Sequence, residues 1–345
     1  MKNKKEQKKK QQSFIGIDAS KLTMDYSIIN YEGFEEHHLF ENNKKGFKKM
    51  ETWLNSTKVF NYSDALFCIE HTGVYTRELV EYLLLKGAKV WMESALHLKR
   101  SMGMTRGKND KVDSYRIARY AMTNADKAKL VQPANKTLQL IKDLMSSRKR
   151  IKKSIQSLKV SIKELKRVDK AAGRELEVIN KPALTGLMKS KEAIEKRMQE
   201  LINSDEELKR IFQLVTSVKC VGPVLAIELM VYTHSFTRMT DVKQLACYCG
   251  VAPFSHSSGT SVKGRTGTSN FANMGLKSTL HLAAISSTQY VPDIKIYYKR
   301  KVAEGKKKMS VINAIRNKLL NRVLTVVKRG TPYVENYLEN NLVRS

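Results

Sequence analysis

Two aspartates, Asp110 and Asp113, stand three residues apart in Gly107-Lys108-Asn109-Asp110-Lys111-Val112-Asp113-Ser114-Tyr115-Arg116. The spacing at a predicted helix start puts both carboxylates on one helix face. A carboxylate pair of this kind can hold a hard divalent cation, which takes oxygen ligands and can clamp the attacking and leaving oxygens of a phosphodiester. The same pair also serves a helix N-terminus as cap and dipole compensation, so alone it does not decide between the two. Two more acids bear on the choice. The apolar run Phe14-Ile15-Gly16-Ile17 ends in Asp18, and Ala65-Leu66-Phe67-Cys68-Ile69 ends in Glu70. A buried strand has no need of an acid at its end.

The elements that would position these acids alternate. Residues 14–20 read as a buried strand with Met24–Tyr31 as its hairpin partner, Gly46–Leu54 as a short helix, and Ala65–Glu70 as a second buried strand. A Thr72-Gly73-Val74-Tyr75 turn opens a helix through about Lys86, Ala88–Met92 is a further strand, and the helix bearing Asp110 and Asp113 follows. Strand and helix in alternation predict an α/β layer, and ligands of open α/β sheets gather at the carboxyl ends of the strands. Asp18 and Glu70 fall there. Four gathered carboxylates carry more repulsion than a fold tolerates without a neutralising cation.

The composition points to a polyanionic partner. Lys and Arg number 63 against 33 Asp and Glu, a formal charge of +30 over 345 residues, and the basic residues recur throughout the chain. Nucleic acid fits such a distribution, because each neutralised phosphate releases counter-ions. No apolar run is long enough for a membrane span, and the basic N-terminus leads into no secretory signal, so a cytoplasmic protein is expected. Four scattered cysteines give neither a disulfide framework nor paired zinc spacing; Cys247 and Cys249 read as buried free thiols.

After residue 134 the pattern changes to helical. Leu138, Ile141, Leu144 or Met145, Ile151, Ile155, Leu158, Ile162 and Leu165 follow spacings of three and four, interrupted by Arg148, and predict a coiled-coil seam. Between Ser146 and Lys170 lie ten basic and two acidic residues, too lopsided for salt-bridge lacing. Arg148, Lys149, Arg150, Lys152 and Lys153 are therefore candidate phosphate contacts. A break at Lys181-Pro182 would return a second helix through Glu192–Leu201 as an antiparallel arm. Further on, the Gly222-Pro223 turn between helices can offer backbone N–H groups to a phosphate or be a plain turn.

The segment Gly250-Val251-Ala252-Pro253-Phe254-Ser255-His256-Ser257-Ser258-Gly259-Thr260-Ser261-Val262-Lys263-Gly264-Arg265 reads as a loop of small residues pinned by helices on both sides. Hydroxyls beside Lys263 and Arg265 can set a nucleophile against a phosphate whose developing charge the cations stabilise. His256 lacks an orienting third group and is read as exposed or phosphate-touching, not as the base of a Ser-His couple. Aromatics and cations interleave from Lys295 to Lys308, as on a backbone-tracking surface.

Gly16-Ile17-Asp18-Ala19-Ser20-Lys21, Glu70-His71-Thr72-Gly73-Val74-Tyr75 and Lys108-Asn109-Asp110-Lys111-Val112-Asp113 together resemble, in order and spacing, the RuvC-like DEDD domain of bridge-RNA-guided insertion-sequence transposases of the serine recombinase type. The resemblance implies an RNase H-like fold in which Asp18, Glu70, Asp110 and Asp113 bind Mg²⁺. It also implies a C-terminal transposase domain whose Pro-x-x-x-x-Ser-Gly motif falls on Pro253, Ser258 and Gly259, making Ser258 the nucleophile with Ser257 as fallback. Partners implied are donor and target double-stranded DNA, an element-encoded guide RNA, and a homodimer assembling to a tetramer. Where family members carry Thr before the first acid of the last motif and Ala after the second, this chain has Asn109 and Ser114; Asn273 and Gly275 stand for the usual Gly-Asn.

The expected organisation is a disordered basic arm over 1–13, an α/β RuvC-like domain over 14–133, a coiled-coil arm over 134–203, a mostly α-helical serine-bearing domain over 204–334, and a tail over 335–345. Two other readings stay open. One is a metal-dependent nuclease of the Holliday-junction type using the carboxylates alone; the other is a non-catalytic nucleic-acid-binding protein with structural acids. A sugar-kinase or actin-like ATPase is set aside, because Ala19-Ser20-Lys21 after Asp18 is not the phosphate hairpin such a protein needs.

Overall fold

A computed structural model describes residues 12–71, 73–101, 110–133, 135–254, 257–258, 262–263, 267–268 and 272–335. For Ser257, Ser258, Val262 and Lys263 the description extends to the backbone alone. His256, Arg265, most of the basic arm and most of the tail lie outside the described residues. The chain divides into two compact units, 1–134 and 135–345.

The first unit is built on a five-stranded sheet: β1 (Ser13–Ala19), β2 (Thr23–Asn30), β3 (Glu35–Glu41), β4 (Leu66–Glu70) and β5 (Lys89–Glu93). Their spatial order is β3-β2-β1-β4-β5. The hairpin strands β1, β2 and β3 run antiparallel, whereas β4 lies parallel to β1 and β5 parallel to β4. Helices α1 (Lys44–Ser56) and α2 (Arg77–Leu85) and helices α3 (Ala95–Ser101) and α4 (Asp110–Thr123) supply the covering layers. The parity of the strands assigns the faces. Ile15 and Ile17 of β1 with Phe67 and Ile69 of β4 pack with Phe47 and Leu54 of α1 and Leu79 and Leu83 of α2. Phe14 of β1 and Leu66 and Cys68 of β4 pack instead with Leu98 of α3 and Ile117 and Ala118 of α4. Burial on both faces explains why β1 and β4 read as unbroken apolar runs.

The approach of α4 to β1 depends on a small residue. A Cβ at Gly16 would stand 2.1 Å from the Ser114 carbonyl oxygen and 2.2 Å from the Ala118 nitrogen. Buried Ser114 accounts for its own departure from alanine: its hydroxyl is 2.8 Å from that of Ser27 and donates to the Lys111 carbonyl at 2.9 Å. Gly16→Ala must push backbone from backbone, and the expected cost is about 3 kcal/mol, the upper end for overpacking. Urea unfolding of the two proteins measures it; a loss under about 0.5 kcal/mol would show that α4 shifts freely.

The second unit begins with two long helices, α5 (Lys136–Val168) and α6 (Lys170–Asn203). They fold back at Asp169, not at Lys181-Pro182. The Asp169 carboxylate accepts from the amides of Ala171 and Ala172 and caps α6, and Gly173 lets the returning helix pass where a Cβ would lie 2.6 Å from the Lys166 nitrogen. Pro182 sits inside α6, beside exposed Val178 and Ile179, where water can take up the carbonyl that a proline leaves unbonded. The apolar stripe on α5 is buried at Leu138, Ile141, Met145 and Ile162 and half-buried between them, so it forms a two-helix hairpin within the chain. At its base, Leu138, Ile141 and Met145 with Met198, Leu201 and Ile202 of α6 join the core of the helices that follow. These are α7 (Glu206–Thr216), α8 (Pro223–Thr233), α9 (Val242–Tyr248), α10 (Met274–Tyr290), α11 (Pro292–Ala303) and α12 (Lys308–Arg329). All four cysteines are free thiols; Cys249 is buried, but Cys247 is exposed, contrary to the apolar setting read for both. Among the described residues no helix is long and apolar enough to cross a membrane.

Candidate carboxylate site and serine hairpin

Asp18 shares the parity of Phe14 and Gly16 on β1, and Glu70 that of Leu66 and Cys68 on β4, so both lie on the sheet face that α4 covers. The parallel register sets Ile17 beside Ile69, which brings the two acids level at the carboxyl ends of neighbouring strands. Asp110 and Asp113 occupy the first turn of α4, the helix seated on Gly16 and Ser27. Gly16 thus positions two of the acids against the other two. The field they make is felt at Asp18, whose carboxyl is pushed up from 3.8 to about 6, first by burial and then by Glu70, Asp110, Asp113 and Asp25. Glu70 is raised as well, by burial and then by Asp113.

Asp25 belongs to this group and was not foreseen. It lies directly opposite Asp18 in the antiparallel register and is held by His37 at 2.8 Å. Asp113 is paired with Arg116 at 3.0 Å. The donor set is carboxylate oxygen throughout, the chemistry a hard divalent cation takes, and the raised Asp18 marks negative charge that such a cation would offset. On both counts the residues fit a divalent ion, although among the described residues no three His, Cys, Asp or Glu side chains are gathered into a ready-made ligand set.

A linkage test follows. Because the folded carboxyl of Asp18 titrates above its value of 3.8, its penalty on the fold is absent at low pH, grows as pH rises, and is complete above about 6. Asp18→Asn should therefore stabilise the protein at pH 8 in chelator by about 1 kcal/mol, after discount for partial exposure, and by almost nothing near pH 4. Thermal unfolding at the two pH values measures this; a destabilised variant at pH 8 would mark Asp18 as a structural acid.

In the second unit the serine segment is a nested β-hairpin, not an open loop. Strands β6 (Pro253–Phe254) and β9 (Gly267–Thr268) pair outside, and β7 (Ser257–Ser258) and β8 (Val262–Lys263) pair inside. Alternating Val262 and Thr268 among the serines and glycines favours such pairing. Ser258 is opposite Val262. The base of the hairpin is closed by the helices: the Asn273 amide donates to the Tyr248 carbonyl at 2.9 Å, its side chain donates to the Tyr248 hydroxyl at 3.2 Å, and Lys277 donates to the Thr268 hydroxyl at 2.9 Å. Asn273 also caps α10 by accepting from the Leu276 amide.

The basic candidates on α5 divide into two groups. Arg148 donates to Glu195 of α6 at 2.6 Å, and Lys149 lies 2.8 Å from Glu228 and donates to the Tyr232 hydroxyl at 3.3 Å. Both are engaged within the protein. Arg150, Lys152 and Lys153 are exposed and remain available to phosphates.

Two stretches of the chain, one taking in the α/β unit with its strand-end acids and one taking in the serine hairpin, are similar to transposase models. Residues 15–166 match the DEDD transposase model of the IS110 group, and residues 212–299 match the model described as transposase, IS116/IS110/IS902 family. The first match takes in Asp18, Glu70, Asp110 and Asp113, and the second takes in Ser258. Relatives include the pilin gene-inverting proteins of Moraxella lacunata and Moraxella bovis, each 27% identical over 93% of this chain and 97% of the relative. An insertion element IS110 uncharacterized 43.6 kDa protein of Streptomyces coelicolor is 29% identical over 35% of this chain and 29% of its own length.

Proposed function

We propose that this protein is a DNA recombinase that moves an insertion sequence by serine attack on DNA phosphodiesters. The observation that carries the reading is the register that sets Asp18 and Glu70 level at neighbouring strand ends on the face covered by the helix whose first turn bears Asp110 and Asp113, inside a chain of net charge +30; burial and then these acids raise the Asp18 carboxyl to about 6. A basic protein that concentrates carboxylates at two strand ends is built to bring a cation to a phosphate. The strand order β3-β2-β1-β4-β5, with the first three antiparallel and the last two parallel to β1, supports an RNase H-like assignment. Asp18, Glu70, Asp110 and Asp113 would hold Mg²⁺, which supplies charge neutralisation and orientation of the phosphodiester oxygens.

In the proposed step the Ser258 hydroxyl oxygen bonds to phosphorus, the bond from phosphorus to the DNA 3′ or 5′ oxygen breaks, and that oxygen leaves as a DNA hydroxyl after gaining a proton. The bond energy is kept in the phosphoserine link, so a second DNA hydroxyl can displace the serine and reseal a new junction. Lys263 and Arg265 favour the charge that develops on phosphorus oxygens. Exposed Arg150, Lys152 and Lys153 track phosphates on nucleic acid. Selection of donor and target DNA by pairing with a guide RNA, and a dimer assembling to a tetramer through the α5–α6 hairpin, complete the reading.

The test is expression together with the native flanking DNA, sequencing of any RNA that co-purifies, and a denaturing-gel search for a protein–DNA adduct. RNA from the element's own flank and an adduct are expected; neither RNA nor adduct would sink the reading. Cleavage without an adduct would favour the nuclease alternative, in which the carboxylate site acts alone.

A further inference from the structure

Arg316 is a buried cation with no counter-ion among the described residues. It lies in the middle of α12 at 6% exposure. One terminal nitrogen donates to Nδ1 of His281 on α10 at 2.5 Å, the other to Oδ1 of Asn313 at 3.3 Å, and Nε has no partner among the described residues. Both partners are neutral acceptors. Burial is the single cause that lowers its pKa, with no carboxylate acting on it, and His281 is lowered by burial and by Arg316 itself, which keeps the imidazole in the uncharged form that can accept. A guanidinium withdrawn from water is costly unless an anion meets it, and its five donors are laid out for bidentate contact with a carboxylate or a phosphate.

The hairpin and α10 supply no acid of their own. No Asp or Glu occurs between Asp241 and Asp293, a stretch that includes the whole serine hairpin and all of α10. The next acids are engaged elsewhere: Asp293 pairs with Arg322 and Glu304 with Lys301. The local geometry says where an outside anion would arrive. Asn313, beside Arg316 on α12, donates its side-chain amide to the Val251 carbonyl at 2.7 Å, where the chain enters the hairpin that carries Ser258. Lys277, one turn before His281 on α10, holds Thr268 where the hairpin ends. Cations from two helices therefore stand at the base of one hairpin, in a segment with no acid of its own.

We propose that Arg316, oriented by His281 and Asn313, binds a backbone phosphate of the DNA duplex at the base of the serine hairpin. The site deepens the serine-recombinase reading and rests on it for the identity of the bound strand. Asn313 links the phosphate contact to the hairpin backbone at Val251, so engagement of the duplex fixes the hairpin's base while Ser258 acts.

The experiment compares Arg316→Met and Arg316→Lys with the unsubstituted protein, each made also with Ser258→Ala so that binding is read without reaction. Three quantities are measured: the thermal midpoint, the affinity for a DNA duplex carrying the element's end across a series of salt concentrations, and the adduct on a denaturing gel. Methionine fills the space without the charge, so the midpoint should stay or rise, because a buried unpaired cation has been removed. Duplex affinity should fall about tenfold, with the salt dependence shallower by about one phosphate contact. The adduct should fall at least tenfold, and Arg316→Lys should recover part of the affinity. A lowered midpoint with unchanged duplex affinity and salt slope would overturn the proposal and make Arg316 an internal strut. Unchanged duplex affinity with weakened binding of the co-purifying RNA would overturn it too, since the anion would then be RNA. Failure of the serine reading is seen separately, as cleavage without any adduct in the unsubstituted protein.

Discussion

Ser258→Ala is expected to remove the protein–DNA adduct and all recombination, a fall of about 10⁴-fold or to background, while duplex binding changes less than about twofold. Loss of a nucleophile takes away the whole covalent route, so the effect is of the size seen when a catalytic serine is deleted from an enzyme whose binding surface is intact. Ser257→Ala, one residue away in the same strand, should keep the adduct. His256→Ala should cost less than about tenfold, because phosphoryl transfer draws on positioning and charge more than on a strong base. Denaturing gels with labelled duplex separate the outcomes. An adduct lost in Ser257→Ala but kept in Ser258→Ala would move the nucleophile by one residue. Adduct-free cleavage that survives both changes would leave the carboxylates as the sole catalytic groups.

How far such chemistry could be read before the fold was known differs from residue to residue. Asp18 and Glu70 were visible because β1 and β4 are buried on both faces, and an acid that ends an unbroken apolar run has no packing role. Asp25 was not visible: it lies within β2, where a polar residue passes for ordinary alternation, and only the register places it opposite Asp18. The edge strand β3, Glu35-Glu36-His37-His38-Leu39-Phe40-Glu41, escaped for the reverse reason. It is largely exposed, and its charges guard a free sheet edge instead of marking a buried face.

In the helical unit the seam of α5 was legible from its spacing, but its turn was not. Pro182 carries the stronger sequence signal for a break, yet Asp169 with Gly173 makes the better turn because it satisfies two amides and admits the crossing. The buried charges left faint traces. Arg148 interrupted an apolar stripe, Glu228 is the lone acid in Val224-Leu225-Ala226-Ile227-Glu228-Leu229-Met230-Val231, and Arg316 sits among Ile312, Ile315 and Leu319. A charge inside an apolar helix requires a partner, and sequence alone does not name it. For the first two the partner is another helix of the same unit.

That requirement makes Lys149→Met the substitution with the largest expected effect on stability. The Glu228 side chain is 2% exposed; one of its oxygens meets Lys149 at 2.8 Å and the other has no partner among the described residues. Burial, the largest single influence, would lower the Lys149 ammonium, but the bond to Glu228, its charge and Tyr232 together outweigh it and the pKa is raised, so the lysine is held charged. Removing it strands a carboxylate in the core, and the expected cost is about 3–5 kcal/mol. Lys149→Met combined with Glu228→Leu should recover to within about 1 kcal/mol of the starting protein, because a buried pair replaced by apolar groups of similar size is close to neutral. Triple substitution of the exposed Arg150, Lys152 and Lys153 by glutamine should do the reverse: stability within about 0.5 kcal/mol, and nucleic-acid affinity reduced with a shallower salt dependence. Denaturant unfolding and salt titrations of binding distinguish the two groups. A Lys149→Met protein of normal stability with weakened phosphate binding would show that Lys149 faces the nucleic acid after all. The Lys149 ammonium also lies beside the helix that follows the serine hairpin. A Cβ at Gly275, in the first turn of α10, would lie 3.2 Å from the Lys149 ammonium. The Lys149 ammonium therefore lies close to the first turn of α10, the helix that follows the serine hairpin. In the Lys149→Met, Glu228→Leu protein, stability returns but the charge beside this turn does not, and adduct formation should stay reduced by about tenfold while duplex binding is kept.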